Sequence, residues 1–113
     1  MEKRFAVEFL EEAIVFIDSM DEKAREKVIY NIRKAQIVND KELFKKLNED
    51  IWEFRTLFNK THYRLYAFWV KTSNQAEKLV ISTHGHIKKT KKTPRQEMER
   101  VIRIKDNYFK HKK

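Results

Sequence analysis

The sequence predicts an α+β fold: an N-terminal α-hairpin packed on a small, mainly antiparallel twisted sheet, closed by a C-terminal helix. Three observations predict it. Apolar residues recur at helical spacing between residues 10 and 35, and aromatic and β-branched residues crowd three stretches between 51 and 86. Helical spacing then returns after Pro94, the one proline in the chain. With 113 residues and 41% apolar content the chain can bury one modest core, and no repeat, linker or low-complexity stretch divides it. Residues 1–113 therefore read as a single domain.

Residues 3–7 alternate weakly and suggest a short first strand. From Glu8 the period changes: Leu10, Ala13, Ile14, Ile17 and Met20 share a helical face, with Glu11, Glu12 and Asp18 around the rest of the wheel. Ser19, followed by Glu22 three residues later, has the spacing of a capping box and predicts the start of a second helix. Its apolar set is Ala24, Val28, Ile29, Ile32 and Ala35, and so short a joint makes the pair an α-hairpin. Strands follow at 51–58, 62–70 and 78–86, the first two linked by Asn59-Lys60-Thr61 and the next by a looser polar stretch, 71–76. Thr93 as N-cap, Pro94 in the first turn and Gln96 in capping-box position open the last helix. Its buried stripe is Met98, Val101, Ile102, the stem of Lys105 and Phe109.

Several function classes drop out early. The chain has no Cys, hence no disulfide framework, thiolate nucleophile or thiolate metal site. No apolar run reaches the roughly 18 residues a membrane span needs. Met1-Glu2-Lys3-Arg4 lacks the basic-then-apolar order of a signal peptide, so the cytoplasm is the expected location. The charge is more informative. Of the net +9, residues 1–85 contribute little, with 15 basic and 14 acidic side chains, whereas 86–113 carry 11 basic and 3 acidic. A basic C-terminal quarter on a near-neutral domain points to a polyanion partner; the plainer reading is a solvated basic tail.

Strand parity sorts the middle of the chain into two faces. One face collects Trp52, Phe54, Phe58, Tyr63, Leu65, Ala67, Trp69, Leu79, Ile81 and Thr83, and should lie against the two helices. The other collects Glu53, Arg55 and Leu57, then His62, Arg64, Tyr66 and Phe68, then Val80, Ser82, His84 and His86. On that face Arg55, Arg64, Tyr66, His84 and His86 come together, with the proviso that a slip of one residue inverts a strand. Two arginines on paired strands suit phosphate oxygens, though either could simply line a half-solvated surface. His84 and His86 can donate or accept protons near neutrality. As a metal pair they lack a carboxylate or Cys at ligand spacing, so neither metal nor cofactor is expected. Tyr66 reads first as a packed aromatic, and Glu53 as an acid that orients an arginine or serves as a base.

The run from His86 to Pro94 places Lys88, Lys89, Lys91 and Lys92 ahead of the last helix, with Arg95 following. Such a run is commonly a solvated loop, but at the edge of an arginine-bearing face it makes a phosphate site.

Trp52-Glu53-Phe54-Arg55, Tyr63-Arg64-Leu65 and His86-Ile87-Lys88-Lys89-Thr90-Lys91-Lys92-Thr93-Pro94 together resemble the RelE/ParE toxin superfamily, nearest its phage-derived HigB-like branch. That branch shows a Leu/Trp-Glu-Leu-Arg strand, a Tyr-Arg-Ile/Leu strand and Phe-x-Lys-Lys-x-x-x-Thr-Pro before a final helix. The resemblance covers nearly the whole chain, and its lysine-rich Thr-Pro segment is the most specific part; His86 stands where the pattern has Phe. It implies the toxin of a type II toxin–antitoxin pair, a small metal-independent endoribonuclease that cleaves mRNA in the ribosomal A site through attack of a ribose 2′-hydroxyl. By position, Arg55 and Arg64 match the residues that hold the scissile phosphate, and Lys88 and Lys89 the basic segment. Glu53, Tyr66, His84 and His86 are the candidates for moving protons. The implied partners are ribosome, mRNA and a small helix-turn-helix antitoxin, with the free toxin a monomer or weak dimer. ParE-like members of the same fold inhibit DNA gyrase instead, and a non-catalytic nucleic-acid-binding module is the third alternative.

Overall fold

A computed structural model describes residues 2–48, 50–71, 78–88 and 93–111. Its elements run β1 (Ala6–Phe9), α1 (Glu11–Asp18), α2 (Glu22–Ala35), β2 (Phe44–Lys46), β3 (Ile51–Phe58), β4 (Thr61–Val70), β5 (Leu79–Lys88) and α3 (Arg95–His111). The architecture is α+β, a five-stranded mixed sheet in the order β1-β5-β4-β3-β2 with the α-hairpin on one face and α3 on the other. β1 runs parallel to β5, and the remaining pairs are antiparallel. Two residues with positive φ, Asn59 (51°) and Lys60 (64°), turn β3 into β4 as the expected hairpin.

Local ends differ from the sequence expectation for identifiable reasons. β1 starts later than residue 3 because the segment before it is held by the end of α2: the Gln36 side chain donates to the Phe5 carbonyl at 3.0 Å. Glu8 accordingly belongs to β1 and not to a helix. The N-cap of α2 is Asp21, whose carboxylate accepts from the Ala24 amide at 2.9 Å. Ser19 is instead drawn back to close α1, its hydroxyl donating to the Phe16 carbonyl at 2.6 Å. α3 starts at Arg95 and not at the Thr93 cap, with the Pro94 carbonyl accepting from the amides of Glu97 and Met98. β2 is a three-residue edge strand, too short to print an alternation in the sequence.

Between α-hairpin and sheet lies an aromatic-rich core of Phe5, Phe44, Phe54 and Leu65 with Ala13, Ile17, Val28 and Ile32, joined by Trp52, Phe58, Tyr63 and Trp69. A second core under α3 holds Ile51, Tyr66, Phe68, Ile81 and Val101. The β3 and β4 parities are as predicted, but β5 is not of one parity. A bulge opposite Tyr66 shifts the register from Leu65↔Gly85 to Ala67↔Ser82. Before it, Leu79 and Ile81 face α3 while Val80 faces the α-hairpin, the reverse of expectation; beyond it, His84 and His86 lie on the α3 face as predicted. Ile14, Ile102 and Phe109, expected on the apolar helix faces, are substantially exposed. In α3 the inward aromatic is Tyr108, edge-on to Phe68 at 5.5 Å.

Candidate functional site

Register assembles the site on the α3 face of the sheet. Arg55 of β3 lies opposite Arg64 of β4, Arg64 opposite His86 of β5, and Glu53 opposite Tyr66. All are on one side because strand residues two apart share a face. The bulge matters here: without the extra residue, His86 and Lys88 would point into the α-hairpin core.

Glu53 is the centre of the charge. Its Oε1 lies 3.6 Å from Arg64 Nε and 3.7 Å from Lys88 Nζ, and its Oε2 lies 3.7 Å from Arg55 Nε. Glu53, Arg64 and Lys88 are buried, while Arg55 reaches partly into solvent. Three cations thus converge on one carboxylate. Burial pushes the Arg64 and Lys88 pKa values down, with Glu53 opposing the shift and the neighbouring cations adding to it. An anionic group entering here would meet preformed positive charge in a sheltered setting, where such charge acts most strongly.

Beside this cluster the Tyr66 hydroxyl and His86 Nδ1 are 2.9 Å apart, and the two rings stack with centroids 5.5 Å apart. Burial raises the Tyr66 pKa far above its ordinary value, with Glu53 and Glu97 pushing the same way, so the phenol stays protonated. Burial also pushes the His86 pKa down, against the pull of Glu97, which leaves a neutral imidazole at neutral pH. A phenol hydrogen-bonded to a neutral imidazole fixes that ring's orientation.

His84 has a different setting. Its Nδ1 is 2.9 Å from Thr83 Oγ1 and its Nε2 is 2.7 Å from Glu97 Oε1, so both ring nitrogens are engaged and β5 is tied to the first turn of α3. Burial lowers its pKa, with the Glu97 hydrogen bond opposing. Glu97 was missed in the sequence; its one signal was an acidic residue in the first helical turn, three positions after Pro94. Arg95 stands apart from the cluster, exposed and paired with Glu99 at 3.0 Å. Lys89, Lys91 and Lys92 lie outside the described residues. Among the described residues no group of three or more His, Asp or Glu side chains is placed to hold a metal ion.

The fold and the site together define a small basic α+β domain with a cation-lined sheet face built around one buried carboxylate. A family model for phage-derived Gp49-like proteins (DUF891) matches residues 15–106, and the chain belongs to that family. No curated protein and no solved structure gives a match. Among the described residues no helix is long and apolar enough to cross a membrane.

Proposed function

We propose that this chain is the toxin of a type II toxin–antitoxin pair, a metal-independent endoribonuclease that cuts mRNA on the ribosome. The observation that carries the reading is the convergence of Arg55, Arg64 and Lys88 on Glu53, with the Tyr66–His86 pair alongside. Membership of the Gp49-like family, which is associated with RelE-like toxins, supports it, as does the basic C-terminal quarter.

In this reading the scissile phosphate takes its place among the three cations, whose charge stabilises the five-coordinate phosphorus that forms. The ribose 2′-oxygen attacks that phosphorus and the bond to the 5′-oxygen breaks, leaving a 2′,3′-cyclic phosphate and a 5′-hydroxyl end. His86, neutral with its Nδ1–H donating to the Tyr66 oxygen, takes the 2′-hydroxyl proton at Nε2, and a solvent water gives a proton to the departing 5′-oxygen. Glu53 balances the charge of the cations until substrate arrives, and His84 anchors α3. The antitoxin is a small helix-turn-helix protein, the site of action is the cytoplasm, and the free toxin is a monomer or weak dimer.

The test is induced expression with mapping of mRNA ends, paired with toeprinting on purified translating ribosomes. New 5′-hydroxyl ends within open reading frames are the expected result. Growth arrest with intact mRNA and lost gyrase supercoiling would overturn the reading in favour of a gyrase inhibitor. Salt-sensitive RNA binding without cut product would make the chain a binding module.

A further inference from the structure

A cavity of about 460 Å³ opens at the end of the sheet where β3 begins and β4 ends, bordered by Trp52, Trp69 and Phe109 and by Lys46, Lys71 and Lys105, with Asp50 beside them. Trp52 and Trp69 are the two tryptophans of the chain. Trp52 stacks on Phe44 at 4.9 Å, Trp69 meets Phe5 edge-on at 5.1 Å, and the indoles are T-shaped to each other at 5.9 Å. Both are therefore rigidly backed by the core while staying part-exposed toward the cavity. Lys46 and Lys71 are exposed; Lys105 lies 3.6 Å from Asp50 and 5.9 Å from the Phe109 ring centroid.

Closing a core does not require three aromatic rings around an open slot with an excess of lysines. A ligand with a flat apolar face and negative charge does, because rings stack while ammonium groups neutralise phosphate. An acidic peptide carries the charge without the flat face. Trp52 and Glu53 are neighbours in β3 and point to opposite faces of the sheet, so the slot is a separate surface from the charged site.

We propose that this slot is a nucleobase subsite for single-stranded RNA. Its place along the substrate rests on the ribonuclease reading above; its binding can be measured without cleavage. The experiment is a titration of the full chain with a 2′-O-methyl oligouridylate, which has no free 2′-hydroxyl to react, read by intrinsic tryptophan fluorescence. Saturable quenching is expected. Lys46→Glu combined with Lys71→Glu should weaken the half-saturation point at least tenfold, whereas Lys23→Glu, exposed on α2, should leave the quenching in place. Tripolyphosphate, charged but without a base, should leave the emission unchanged. Three results would overturn the proposal: no binding, binding by end-label anisotropy with constant tryptophan emission, or quenching that tripolyphosphate reproduces or that survives Lys46→Glu/Lys71→Glu. Lysine-dependent quenching by a chain that cuts no RNA would sink the nuclease and keep the subsite.

Discussion

Glu53 Oε1 lies 3.6 Å from Arg64 Nε, both side chains are buried, and neither atom makes a hydrogen bond among the described residues. The carboxylate balances charge without locking geometry. A buried ion pair of this kind adds little net stability, since desolvation offsets much of the attraction, yet removing one partner is costly. Glu53 therefore keeps its cations in the fold while the Nε donors of Arg55 and Arg64 make no hydrogen bond among the described residues.

Glu53→Gln leaves three cations facing a neutral amide, whereas Arg64→Gln leaves Glu53 with Lys88 and Arg55 still close. The first substitution should cost about 3 kcal/mol in urea unfolding and the second about 1 kcal/mol. Added phosphate should recover stability in Glu53→Gln more than in the parent chain, because an anion that binds the folded site shifts the equilibrium toward it. Equal losses, or no response to phosphate, would remove Glu53 from the centre of the site.

For activity, the informative change is Arg64→Lys, which keeps the charge and discards the guanidinium fork. Cleavage of reporter mRNA on ribosomes should fall about 100-fold, in line with loss of one oxyanion-stabilising donor. Far-UV circular dichroism should not change. Arg64→Ala should abolish growth arrest; a fully toxic Ala variant sinks the site assignment.

The lowered His86 pKa puts the acid limb of the reaction below the ordinary histidine value. Cleavage should fall on acidification with its midpoint below pH 6.5, the ordinary histidine value, as the imidazole takes a proton. Tyr66→Phe removes the partner of Nδ1 and should slow the reaction while leaving that limb present. His86→Gln should erase the limb. A midpoint above pH 6.5 would contradict a buried neutral imidazole as proton acceptor.

Stability carries its own pH dependence. His84 and His86 have folded pKa values below the unfolded value of 6.5, so the unfolded chain binds more protons in that interval. The contribution is present above pH 6.5 and is lost as pH falls through the depressed folded values. Urea midpoints measured from pH 7.5 to 5.0 should drop, and His84→Gln should flatten part of the drop. A midpoint rising on acidification would mean that the Glu97 contact holds His84 charged.

Much of this is legible in the amino-acid sequence. The three long strands announce themselves through aromatic and β-branched runs, and parity alone brought Glu53, Arg55, Arg64 and Tyr66 to one face. The β5 bulge was not legible, because one extra residue opposite Tyr66 leaves no compositional mark while reversing the face of every residue on one side of it. Pairings across the chain were equally silent. Asn31 sits in the buried stripe of α2 because its amide donates to Thr56 at 3.1 Å, and His84 finds Glu97 only once α3 has docked. Spacing points to Ser19 as the cap of α2, but Ser19 closes α1 and Asp21 takes the role.

Gly85, the chain's one glycine, joins the bulge to the site. It lies opposite Leu65 between His84 and His86, and a Cβ there would overlap the Phe16 ring of α1 and come within 2.7 Å of the Arg64 carbonyl oxygen. Gly85→Ala must therefore push α1 away from β5 or shift the strand bearing Arg64, at a cost of about 2 kcal/mol. Phe16→Ala clears the ring but not the carbonyl. In a double-mutant cycle the pair should be less destabilising than the sum of the singles, with the coupling near 1 kcal/mol. Cleavage should stay impaired in the double variant, because the backbone contact next to Arg64 persists after the ring has gone. Full recovery of activity on removing Phe16 would show that Gly85 serves helix packing alone and that the Arg64 strand tolerates the added methyl.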